Sequence, residues 1–77
     1  MKIILEVVDA APGYSKFLRT AAQYDVETKV LSSEGPGGWP EIQFTGTRSN
    51  LVRFFVKTQF FGGDLQETRE MIDEYGE

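Results

Sequence analysis

The 77-residue chain contains no cysteine and no histidine. The first absence removes disulfides, thiolate nucleophiles and most structural zinc sites, and it fits a reducing compartment. The second removes the commonest general base and a principal transition-metal ligand. Together they exclude the usual catalytic triads and weigh against an enzyme. Long apolar runs are also missing: Met1-Lys2-Ile3-Ile4-Leu5 is followed by Glu6 and Asp9, too soon for a signal segment or a membrane span. A cytoplasmic protein without a membrane partner is expected.

Acidity is unevenly spread. The net charge is -4, yet residues 64–77 hold six acids against one arginine, whereas residues 1–63 are nearly balanced. A chain of this length is expected to form one small domain with a modest core, which association would help to stabilise.

What is present is a cluster of turn formers, Ser33-Glu34-Gly35-Pro36-Gly37-Gly38-Trp39-Pro40, set between two alternating segments. It reads as a hairpin loop. Lys2 to Asp9 is β-branched and apolar, with Ile3, Leu5 and Val7 on one face: a first strand. After Pro12, Tyr14, Phe17, Leu18 and Ala21 recur at helical spacing up to about Gln23 or Tyr24, with Lys16, Arg19 and Gln23 on the wet side. Val26 to Ser33 alternates with period two, placing Val26, Thr28, Val30 and Ser32 opposite Glu27, Lys29 and Leu31. Trp39 to Thr45 alternates again, Ile42 and Phe44 facing the core.

Gly46 ends that third strand, Thr47 or Ser49 can cap the next helix, and Gly62-Gly63 is expected to stop it. Leu51, Phe54 and Phe55 suffice to pack that helix on a sheet, so Val52, Val56, Phe60 and Phe61 need a second cover. Asp64 and Glu67 have the spacing of a capping box, and Leu65, Thr68, Ile72 and Tyr75 continue one stripe. A third helix over that surface is predicted.

The order β-α-β-β-α-α makes an α+β chain: a three-stranded sheet of order 1-3-2, with helices on one face, in a split βαβ unit. Residues 2–61 resemble a ferredoxin-like sandwich. A helix stands where its fourth strand should lie, so the outer edge of strand 1 would be bare. Strand 1 has no proline and no run of lysines to blunt it, which suggests pairing with a second copy in a two-fold homodimer.

The run Glu34 to Arg48, followed by a helix and an acidic tail, is similar to small uncharacterised proteins of tailed bacteriophages, including cyanophages. The resemblance implies a life in an infected bacterium and a role in host takeover. It transfers no catalytic residue.

Several features invite functional readings. The Gly35-Pro36-Gly37-Gly38 loop can be weighed as a phosphate cradle, but a strand follows rather than a helix and no lysine is near, which favours a plain hairpin. Trp39, with Leu31 and Glu41 beside it, is either a partner anchor on the open sheet face or a cover for Pro36 and Pro40. That face lacks the basic, aromatic platform of an RNA reader, so no nucleic acid is expected. The C-terminal acids Asp64, Glu67, Glu70, Asp73, Glu74 and Glu77 are either a solvated helix face or an imitation of a phosphate backbone. No catalytic, cofactor or metal residue is assigned; Asp73, Glu74 and Glu77 alone would make a solvent-flooded hard-metal site.

The expectation is a non-catalytic protein-interaction module using Trp39, Leu31, Glu41, Glu70, Asp73 and Glu74 on a protein partner. The competing expectation is a small-ligand regulatory module, with Ala11-Pro12-Gly13-Tyr14 at the place of an effector loop.

Overall fold

The computed structural model describes residues 1–7 and 14–76. The elements are β1 (Lys2–Glu6), α1 (Tyr14–Gln23), β2 (Glu27–Ser32), β3 (Glu41–Thr45), α2 (Arg48–Lys57) and α3 (Leu65–Tyr75). Val8, Asp9 and residues 10–13, which include most of the proposed effector turn, lie outside the described residues.

The sheet has the order β1-β3-β2, with both outer strands antiparallel to β3 and so parallel to each other. Ile3 lies opposite Phe44 and Leu5 opposite Ile42, which puts the expected apolar set on one face. Ile3, Val7, Ile42 and Phe44 are buried there. Ile4, Gln43 and Lys29 share the other face.

Strand 2 departs from strict alternation. A bulge between Val30 and Ser32 sets Ser32 opposite Glu41, so Ser32 joins the open face rather than the face of Val26 and Thr28. Val30 lies opposite the buried Ile42, yet it is 51% exposed at this outer edge.

Aromatic packing joins the helices to the sheet. Phe54 and Phe55 of α2 are fully buried and lie 5.9 and 5.2 Å from the ring of Phe44 on β3. Phe17 of α1 meets Phe44, Phe54 and Phe60 at 6.0, 5.1 and 5.8 Å. The cover for Phe60 therefore includes α1, where the sequence pattern pointed to α3 alone. Burying each such ring contributes about 2 to 3 kcal/mol, so this cluster carries much of the core.

Helix α3 packs on α2 and against β1. Its N-cap Asp64 accepts the Glu67 N–H at 2.7 Å, and Thr68 and Ile72 are fully buried. Leu65 and Tyr75, at the two ends of the same stripe, are each 48% exposed. No fourth strand occurs among the described residues.

Helix α2 is capped by Thr47, whose hydroxyl accepts the Asn50 N–H at 3.1 Å. It ends earlier than Gly62-Gly63. Gln59 takes a left-handed φ of 56°, and the Phe60 and Gln59 N–H groups bond the carbonyls of Phe55 and Val56. This is a Schellman closure, sealed by contact of the Phe60 and Phe55 rings at 5.2 Å. Helix α1 closes in the same way through Asp25, φ 57°, with Val26 N–H bonding Ala21 and Asp25 N–H bonding Ala22.

Candidate functional site: the two ends of strand β1

The end of the β2–β3 hairpin is a tight structure. Gly38 N–H bonds Gly35 carbonyl at 2.9 Å, and Gly35 N–H bonds Trp39 carbonyl at 2.7 Å. Pro36 fixes the first turn position, Gly37 follows without a positive φ, and Gly38 takes φ 86°. These are the features of a type I turn closed by a left-handed glycine.

This loop does hold an anion, and the anion belongs to the chain itself. The Glu6 carboxylate accepts the Gly37 N–H through both oxygens, at 2.9 and 3.0 Å. A side chain at Gly37 would crowd the Glu6 carboxylate, its Cβ sitting 2.7 Å from Glu6 Oε2, so the carboxylate would have to give way. The pairing register explains why Glu6 leans this way. It lies directly opposite Glu41, and like charges so placed repel. The Gly37 N–H draws one of the two charges toward the loop.

On this braced hairpin end, Leu31 is 41% and Trp39 39% exposed. Glu41 is half-buried on the open face across from Glu6 and Ser32. The three residues predicted from the strand pattern are therefore near one another in the hairpin.

The acidic residues lie elsewhere. Gly76 follows α3 and abuts Met1, while the glycine loop sits at the Glu6 end of β1. A strand rises about 3.3 Å per residue, so the Gly76 end of α3 and the glycine loop lie roughly 15 Å apart along β1.

Nor are all the acids equivalent. Arg48, at the start of α2, grips Asp73 through two bonds, Nε to Oδ1 at 2.7 Å and Nη2 to Oδ2 at 2.8 Å. Hydrogen bonding from Arg48, aided by its charge, holds the Asp73 carboxyl below the usual carboxylate range. The same contact raises the Arg48 guanidinium. Glu70 accepts from Gln66 at 3.3 Å, and Glu74 is exposed. Asp73 is thus spoken for within the chain, a pairing that no local sequence signal marks because its partner is 25 residues away.

The Met1 end of β1 gathers another set of residues. Lys2, Ile4, Gln43 and Tyr75 line one pocket, and Met1 touches the position of Gly76. Met1, Ile4 and Tyr75 are exposed apolar residues at this margin.

Among the described residues no three acidic side chains converge to hold a metal ion, and no helix is long and apolar enough to cross a membrane. No family model, curated protein or solved structure matches the chain.

Proposed function

We propose that the chain is a non-catalytic protein-binding module that engages its partner through the end of the β2–β3 hairpin. The observation that carries this reading is the exposure of Trp39 and Leu31 on a loop already braced by the Glu6–Gly37 and Gly35–Trp39 bonds. Large apolar side chains on a rigid support bind at little entropic cost, and tryptophan is the most favoured anchor. Glu41 borders them and adds polar selectivity at the rim.

The sheet order β1-β3-β2 supports a ferredoxin-like core in which α3 takes the place of the last strand. That substitution leaves β1 at the margin of its sheet, and we read the protein as a homodimer joined there. The resemblance of the glycine-loop segment to phage proteins directs the search for a heterologous partner to bacterial lysates.

The test is capture from such a lysate by the immobilised chain, with Trp39→Ala and Leu31→Ala compared at matched melting temperature. A captured protein that both variants lose supports the reading. Equal capture by the wild type and both variants overturns it.

A further inference from the structure

Antiparallel ladders alternate between residues that bond to their neighbour and residues whose backbone groups point the other way. Gly46 N–H bonds Met1 carbonyl at 3.1 Å, and Val7 N–H bonds Pro40 carbonyl at 2.9 Å. These flanking bonds fix the parity: Ile3 and Leu5 bond to β3, while Lys2, Ile4 and Glu6 direct their N–H and C=O groups to the outer edge of β1. On that edge the side-chain sequence is Lys2, Ile4, Glu6, positive, apolar and negative, all on the open face.

Such a triplet is complementary to itself when reversed. We propose that β1 pairs antiparallel with β1 of a second copy about a two-fold axis at Ile4, which sets Ile4 against Ile4 and each Lys2 against the other chain's Glu6. This rests on the homodimer reading and adds its register. Each facing pair exchanges two backbone hydrogen bonds, so the edge groups of all three residues are satisfied at once. The two sheets become one of six strands, and the contact is isologous, as a closed dimer requires.

Three observations favour a second copy here. The charges match in this register and clash in a parallel one, where Lys2 would face Lys2. Met1, Ile4 and Tyr75, all exposed and apolar, border the same edge and would be covered with it. The opposite margin of the sheet, β2, carries the bulge between Val30 and Ser32, a device that interrupts edge pairing, while the β1 ladder runs without a register shift.

The experiment combines mass with register. Sedimentation of the wild type at tens of micromolar should return twice the chain mass. Lys2→Glu alone and Glu6→Lys alone should each sediment as monomers, because each places like charges in both facing pairs. An equimolar mixture of the two should restore a dimer containing one of each. Because Glu6→Lys also releases the Gly37 loop, Ile4→Cys gives an independent reading: paired copies bring two Cα atoms to about 5.5 Å, within disulfide reach, so mild oxidation should cross-link the chain fully, whereas Lys29→Cys should not. A dimer mass with no Ile4→Cys cross-link and no rescue by mixing would overturn this register while leaving the homodimer reading in place. A monomer mass at all concentrations would overturn both.

Discussion

The Glu6 carboxylate closes onto the Gly37 N–H, 31 residues away, and ties the first strand to the turn of the hairpin. A charge-assisted bond to a half-exposed site contributes about 1 kcal/mol. Glu6→Ala should therefore lower stability by about that amount, and Gly37→Ala should do the same by pushing the carboxylate aside. The two losses share one interaction. In a double-mutant cycle followed by urea denaturation, the pair should cost clearly less than the sum of the singles; full additivity would show that the bond contributes nothing.

Two helices end on left-handed residues that are not glycine, Asp25 and Gln59. Aspartate tolerates this region better than glutamine, whose Cβ crowds the backbone there. Gln59→Gly should raise stability by about 0.5 to 1 kcal/mol, or roughly 2 to 8 °C in melting temperature for a chain of this size. Asp25→Gly should gain less. Calorimetry on the two variants checks the order.

Helix α3 packs on α2 and against β1, so its anchor should be costly to remove. Ile72 is fully buried, and Ile72→Ala should cost about 2 to 5 kcal/mol. In a small domain that is a large share of the total. Leu65→Ala, at a half-exposed position of the same helix, should cost much less. Equal and small effects would mean that α3 is not part of the core.

The Arg48–Asp73 pair gives a pH signature. Asp73 titrates lower in the folded chain than its unfolded value near about 3.9, so its contribution is complete above that value and disappears as pH falls through the folded one. Asp73→Asn should flatten the decline in stability below about pH 4. Both side chains are largely exposed, so added salt should weaken the difference.

Much of the fold was legible because its signals are local. Alternation at Ile42 and Phe44, the caps at Thr47 and Asp64, and the stripe of Thr68 and Ile72 each depend on neighbours within a few residues. Sheet order followed from topology. The bulge after Val30 was not legible, since it reflects how the β2–β3 pair is closed rather than which residues alternate. Gln59 hid the true end of α2 because glycines three and four residues later offered a stronger stop signal.

Of the candidate site, the grouping of Leu31, Trp39 and Glu41 was readable from the hairpin. The separation of the acids from them was not, because it depends on where α3 docks. Glu6 had a partial signal. Ile3 and Leu5 facing the core set Glu6 on the open face across from Glu41, beside a glycine loop, but only the three-dimensional register shows that the carboxylate reaches Gly37.

The most direct test of the account is amide exchange at β1, residue by residue, in dilute and concentrated samples. Ile3 and Leu5 should be protected at both concentrations, whereas the amides of Ile4 and Glu6 should exchange freely when dilute and become protected when concentrated. Protection of Ile4 and Glu6 that does not change with concentration would mean that the chain covers its own first strand, and would contradict the pairing of β1 with a second copy.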